Sequence, residues 1–227
     1  MNVKGYIKQI IVEYPYLYKL LTFKLGVIKN KGKRNVIKNK SLSLSGSSIT
    51  IKGNDNIVIL ESGCVLNKVL ISIKGNNHIL RIGKNVRISE GGGIRFEDTF
   101  NRIDIDEYTT IQSANIVASD SHNFIKIGCD CLFSSNIVIR TSDGHSIIDA
   151  KSGNRINKSK SVFIGNHVWL GHGVNVLKGA YIGNNVVIGT HSIVTKTVEE
   201  SCLAVGNPAR IVRKDINWDR KRLNNYV

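Results

Sequence analysis

From residue 164 the chain reads IGNHVW, LGHGVN, VLKGAY, IGNNVV, IGTHSI and VTKTVE, ending at Glu199. Each hexapeptide opens on an aliphatic residue: Ile164, Leu170, Val176, Ile182, Ile188 and Val194. Each carries a small or β-branched residue fifth: Val168, Val174, Ala180, Val186, Ser192 and Val198. A period of six matches neither a 3.6-residue helix nor one alternating strand prolonged over many turns. It matches a triangular coil. Each hexapeptide makes one short flat side with its first residue aimed at the prism axis, glycine or asparagine eases the corner, and three sides complete a turn of about 18 residues. Stacked turns then pair as parallel strands, so the expected fold is all-β.

The same phase extends upstream through Ile82, Ile88 and Ile94, then Ile105, Ile111 and Val117, then Ile127, Phe133 and Ile139. Those coils start 22 or 23 residues apart, which predicts an extra loop of about four residues at one corner, stacked from coil to coil. ITIKGNDNIVI at 49–59 repeats as ISIKGNNHILR at 71–81. Spacing does not determine the hand of the coil, because ordinary parallel crossovers are right-handed. Three segments follow: a basic N-terminal helical cap over 1–40, the β-helix over 41–205, and a C-terminal cap over 206–227. Tyr6, Ile10, Tyr14, Leu17, Leu20 and Leu21 recur at helical spacing within 3–26, and a cap is expected because a bare terminal coil exposes strand edges.

A chain of 227 residues suits one continuous core. The net charge is +15, and residues 1–40 hold ten Lys or Arg against the single acid Glu13, with a second basic cluster from Arg210 to Arg222. Such blocks suit phosphorylated cofactors, anionic polysaccharide or an acidic lipid surface, and equally an ordinary solvated face. Aromatic content is low at 7% and no nucleic-acid-binding module is legible, which argues against nucleic acid. Cys64, Cys129, Cys131 and Cys202 lack the paired spacing of a zinc site and read as reduced core residues. No signal-peptide pattern and no bilayer-length apolar run is present, which places the expected location in the cytoplasm, with peripheral membrane contact through the basic N-terminus.

Two decorated loops end in histidine. SDSH closes on His122 and SDGH on His145, one coil step apart, so the two imidazoles are expected on adjacent loops. The second loop is far longer: after Ile139 the next regular rung opens at Ile164, which leaves 141–163 projecting from the stack. A long excursion from a regular solenoid is a candidate functional element.

The strings SDGHSIIDAKSGNRIN, IGNHVWLG, VLKGAYIGNNVVIG, SIVTK and AVGNPARIV together resemble the hexapeptide-repeat acyltransferases. Among them the likeness is to bacterial capsule and lipopolysaccharide O-acetyltransferases, including those acting on sialic acid polymers, and it covers about residues 82–217. The resemblance implies a left-handed coil, acetyl-CoA as co-substrate with no metal, a carbohydrate acceptor that the basic surface suggests is anionic, and a homotrimer with sites between subunits. It makes His145 the general base and Trp169 the active-site tryptophan beside the coenzyme or the acceptor sugar. A sugar hydroxyl is too weak an acid to attack a thioester unaided, and imidazole exchanges protons near neutrality. Asp143 or Asp149, or a backbone carbonyl, is expected to hold the other ring N–H, and His122 to serve as a loop residue or acceptor contact. Gly171 is expected near the thioester oxygen, and Lys178, Gly189, Thr195, Lys196 and Arg210, with Arg213, along the coenzyme.

Three other readings compete. An N-acetyltransferase of an amino-sugar nucleotide would need the same base. A non-catalytic glycan-binding β-helix would want an unbroken face, which the long loop interrupts. A γ-class carbonic anhydrase would use His167 and His172, five apart, but needs a third histidine on a matching rung.

Overall fold

The computed structural model describes residues 26–221. Within them the chain winds as a three-sided parallel β-helix without helices, its strands forming three eight-stranded sheets. The first face stacks β1 (Val27–Asn30), β3 (Ser48–Lys52), β6 (Val69–Lys74), β9 (Gly92–Phe96), β12 (Ala114–Ala118), β15 (Ile137–Arg140), β18 (Asn175–Val176) and β21 (Ile193–Val194). The second stacks β2 (Val36–Asn39), β4 (Ile57–Leu60), β7 (Ile79–Ile82), β10 (Arg102–Ile105), β13 (Phe124–Ile127), β16 (Val162–Ile164), β19 (Tyr181–Ile182) and β22 (Thr197–Val198). The third stacks β5 (Val65–Leu66), β8 (Arg87–Ile88), β11 (Thr110–Ile111), β14 (Leu132–Phe133), β17 (Trp169–Leu170), β20 (Val187–Ile188) and β23 (Cys202–Val205), and ends on β24 (Arg210–Lys214).

The hexapeptide rule decides what fills the prism. Ile164, Leu170, Val176, Ile182, Ile188 and Val194 are at most 1% exposed, and the fifth residues of the same units are buried beside them. Each fully buried Val, Leu or Ile contributes about 1.5–3 kcal/mol, so a charge at one of these positions would disrupt its coil. Val176 pairs with Val194 one coil on, 18 residues away, whereas Ile49 pairs with Ile71 and Ile71 with Ile94, 22 and 23 residues away.

The extra residues form the expected stack at the corner between the first and second faces. Asn35 Oδ1 accepts from the Asn56 N–H at 2.8 Å, Asn56 Oδ1 from the His78 N–H at 2.9 Å, His78 Nδ1 from the Asn101 N–H at 3.2 Å and Asn101 Oδ1 from the Asn123 N–H at 2.8 Å. This ladder satisfies polar groups that the corner buries. At its end Asn123 Nδ2 donates to Ser159 Oγ at 2.9 Å, which ties the last short loop to the extruded one.

Several boundaries differ from the sequence expectation. The coil is already present at Val27, inside the segment expected to be a cap, because β1 and β2 pair in parallel with β3 and β4. The helix expected within 3–26 lies outside the described residues but for Gly26. The inward residue of β12 is Ile116, at 1% exposure and paired with Ile94, and Val117 faces outward beside Arg95. That coil is one residue shorter between its third and first faces, which a pattern of two adjacent aliphatics conceals. The extruded loop ends at Ser161 rather than 163, because Val162 is buried and pairs with Ile125.

At the far end β24 pairs antiparallel with β23 and covers the edge of the third sheet. The cysteines are free; Cys64, Cys131 and Cys202 are buried, and burial pushes the Cys64 and Cys131 thiols up to about 11 and about 12.

Candidate active site

The extruded loop is a small hairpin rather than a random excursion. Ile148 bridges Arg155 antiparallel, the Ile156 N–H donates to the Ile147 carbonyl at 2.9 Å, and the Asp149 N–H to the Asn154 carbonyl at 2.9 Å. Its base is pinned to the coil. Thr141, fully buried, donates its hydroxyl to the Ser119 carbonyl at 2.8 Å, and Arg155 pairs with Asp120 at 2.8 Å.

Asn157 organises the interior of the hairpin. Only 8% exposed, it donates through Nδ2 to the carbonyl of His145 and to Asp143 Oδ2, both at 2.8 Å. Its Oδ1 accepts from the Ile147 N–H at 2.7 Å and from Arg155 Nε at 3.2 Å. The backbone on both sides of His145 is thereby fixed, while its exposed imidazole makes no hydrogen bond among the described residues. Sequence reasoning did not single out Asn157, which closes the string SDGHSIIDAKSGNRIN among many other polar residues of the loop.

Neither candidate carboxylate meets that ring. Asp143 is engaged by Lys178 Nζ and by Asn157, and the ammonium beside it holds its carboxyl below the usual range. Asp149 closes a turn, accepting from the Lys151 and Ser152 N–H groups and the Ser152 hydroxyl at 2.7–3.1 Å; those bonds hold its carboxyl low as well. Lys178, expected along the coenzyme, donates to Asp143 and to the Asn157 carbonyl at the base of the loop. His122 occupies the neighbouring loop, as its spacing predicts, with its ring stacked on Phe100 at 4.9 Å.

Trp169 stands on the third face, 40% exposed, beside a depression of about 360 Å³ lined also by Thr110, Gln112, Leu132 and Ser134. Its indole leans on that of Trp218, centroids 6.0 Å apart. Trp218 is 7% exposed and returns from the tail to stack on His167 at 4.1 Å. Trp218 Nε1 donates to the His167 carbonyl at 2.9 Å, and the His167 ring nitrogens face Asp130 Oδ2 at 2.8 Å and the Trp218 carbonyl at 3.1 Å. Arg220 closes the strap on Asp130 Oδ1 and the Cys131 carbonyl, each at 3.0 Å. His172 is hydrogen-bonded separately, through Nδ1 to Ser135 Oγ at 2.7 Å, so the two histidines of the carbonic anhydrase reading have different partners.

Gly171 cannot offer its N–H to a thioester oxygen, because that group donates to the Ile188 carbonyl at 2.8 Å within the ladder. A Cβ there would stand 2.7 Å from the Thr190 nitrogen, so glycine serves close stacking at this corner. Gly189 behaves alike, its N–H donating to the Ala204 carbonyl. Thr195, Lys196, Arg210 and Arg213 are exposed, the first two between β21 and β22, the others on β24.

The expected site residues therefore fall into two groups. His122, Asp143, His145, Asp149, Lys178, Thr195 and Lys196 lie at the corner between the first and second faces; Trp169, Gly171, Gly189, Arg210 and Arg213 lie on the third face or at its corner with the first. In a three-sided prism the first group stands across from the third face.

Residues 161–196 match the family described as bacterial transferase hexapeptide, six repeats. The chain is 37% identical over 193 residues to the polysialic acid O-acetyltransferase of Neisseria meningitidis, covering 84% of this chain and 88% of that protein. It is 40% identical over 141 residues to the polysialic acid O-acetyltransferase of Escherichia coli O1:K1 / APEC, covering 62% of this chain and 45% of that protein, so it spans less than half the length of that relative. The crystallographic polysialic acid O-acetyltransferase OatWY superposes with a TM-score of 0.81 at 35% identity, covering 88% of this chain and 93% of that one. The coil is thus of the left-handed type expected.

Proposed function

This chain belongs to the hexapeptide-repeat acyltransferases, alongside the polysialic acid O-acetyltransferases, and we propose that it transfers an acetyl group to a hydroxyl of a bacterial surface polysaccharide or its sugar precursor. One observation carries the mechanism. The large break in the coil is a hairpin anchored through Asn157, Thr141, Arg155 and Lys178 that leaves the imidazole of His145 without a hydrogen bond among the described residues.

Acetyl-CoA supplies the acetyl group as an activated thioester. His145 accepts the proton of the sugar hydroxyl as its oxygen bonds to the acetyl carbon, and the C–S bond breaks. The same imidazolium then returns the proton to the departing thiolate, so neither a covalent acyl-enzyme nor a carboxylate partner is needed. The exposed indole of Trp169 beside its hollow fits a flat wall for the thioester arm or the acceptor, and exposed Arg210 and Arg213 fit the coenzyme phosphates.

The working unit on this reading is a homotrimer, with His145 of one copy facing Trp169 of the next. Two features support it: the candidate residues divide between a corner and the opposite face, and the hairpin exposes Ile147, Ile148 and Ile156 at 55–63% around the imidazole. Apolar side chains gathered on a projecting arm are suited to a covering surface.

His145→Ala is expected to lower kcat by about 10²- to 10⁴-fold with acetyl-CoA affinity and circular dichroism unchanged. Turnover near the wild-type rate in that variant would remove His145 from the mechanism.

A further inference from the structure

The first face carries a trough that the proposed reaction does not use. It occupies about 960 Å³ and runs across β6, β9, β12 and β15, about 14 Å along the stack at ~4.8 Å per strand. Glycine makes its floor, and the two glycines there differ. Gly92 is required by the backbone: its φ is +123°, and a Cβ would stand 2.1 Å from the Ala114 carbonyl oxygen. Gly93 has no positive φ, and a Cβ there would meet nothing nearer than Asn115 Oδ1 at 3.2 Å, the tip of a side chain that can move. The fold does not demand glycine at 93, yet any side chain there would fill the hollow.

The charge is equally uneven. Lys68, Lys74, Arg95 and Arg140 rim the trough, all exposed, and no acidic side chain lines it. None of the four is ion-paired among the described residues. On the second face, by contrast, Arg81, Arg102 and Lys126 are each paired with Asp104 or Asp106. The second face pairs these three cations internally, and the first keeps four unpaired around an open groove. Arg95, Val117 and Arg140 share a row, which sets the α-carbons of the two arginines about 10 Å apart along the stack. Leu70, 62% exposed, gives the trough an apolar stretch against which the C–H face of a sugar ring can pack. Arg140 is followed directly by Thr141, where the loop bearing His145 departs.

We propose that this trough holds an extended polyanionic glycan, its successive carboxylates paired with Lys68, Lys74, Arg95 and Arg140, so that the enzyme grips a run of acidic sugars on its first face while one sugar of that chain reacts at the loop. The inference rests on the reading of the acceptor as a glycan and extends it from a single sugar to a polymer. Several weak contacts along one chain raise its effective concentration at the loop without strengthening the hold on a single sugar.

The test measures binding and turnover apart. Fluorescently labelled polysialic acid of several tens of sugars is titrated, at low salt, into the His145→Ala chain and into that chain also carrying Lys74→Glu with Arg95→Glu, or Gly93→Val. We expect the charge reversals to weaken binding about ten-fold or more, Gly93→Val to weaken it in the same direction without any change of charge, and unlabelled neutral dextran not to compete. Raising salt from about 0.05 to about 0.3 M, which shortens the screening length by more than half, should weaken the parent chain's binding and barely alter that of the charge-reversed one. Unchanged affinity in both variants would overturn the trough, as would a change of oligomeric mass on sedimentation in Gly93→Val, which would make this face a contact between copies. Acetyl transfer from acetyl-CoA by the chain with His145 intact is scored separately. Trough-dependent binding without transfer would sink the acetyltransferase reading and leave the binding site standing.

Discussion

The arm that carries His145 and the face that carries Trp169 are held in opposite ways. On the arm, every strong contact goes to backbone or to a neighbour of the histidine: Asn157 to the His145 carbonyl and the Ile147 N–H, Lys178 to Asp143, Arg155 to Asp120. The imidazole stays open to solvent. On the third face the side chains themselves are locked, Trp169 against Trp218, Trp218 against His167, and Arg220 across Asp130. The contrast fits the two proposed tasks. A group that takes up and releases a proton in each cycle must keep its ring nitrogens available, whereas a wall that orients a flexible thioester arm gains from losing its own freedom.

Breaking the arm should cost more than breaking the wall. Asn157→Leu removes four hydrogen bonds around His145, among them those to its carbonyl and to the Ile147 N–H, while the coil beneath keeps its own ladder. We expect kcat to fall about 100-fold with the KM for acetyl-CoA little changed, since a displacement of about 1 Å in a reacting group costs that much. A kcat within about two-fold of wild type would show that the hairpin holds His145 without this residue.

Trp218→Ala sharpens the other side. Deleting a buried indole costs about 3 kcal/mol of local stability, and here it also removes the surface on which Trp169 leans. The KM for acetyl-CoA should rise about ten-fold, with kcat reduced by less than about three-fold, because the wall loosens but the base does not move. A fall in kcat at unchanged KM would mean that the strap serves the base and not the coenzyme.

How much of this was legible in the sequence depends on distance along the chain. The hexapeptides of 164–199 announce the coil because a buried position every six residues leaves no other regular structure available. The loop of His145 is visible as the gap between Ile139 and Ile164. Val117 misled because Ile116 and Val117 are both aliphatic, and only strand pairing says which one faces inward. The coil over 27–39 is hidden among lysines, although VIKN at 27–30 recurs at 36–39 in the next side. Lys178 reads as a free cation until the fold brings Asp143 to it across 35 residues. Trp218 reads as a tail residue until it meets His167 across 51. Gly171 resembles a donor in sequence, but its N–H belongs to the strand ladder. Local periodicity, in short, reveals the scaffold, whereas the anchors of the site arise from contacts between coils.

A site shared between copies requires the arm of one copy to meet the face of another. The direct measurement mixes two defective chains, His145→Ala and Trp169→Ala, after unfolding and joint refolding at equal concentration, and follows acetyl transfer. In a trimer with its sites between neighbours, about one quarter of the sites would pair an intact His145 with an intact Trp169, so activity should recover to about that fraction of wild type above the sum of the parents. Activity equal to the average of the separate parents would place both residues' work within a single chain and contradict the shared site.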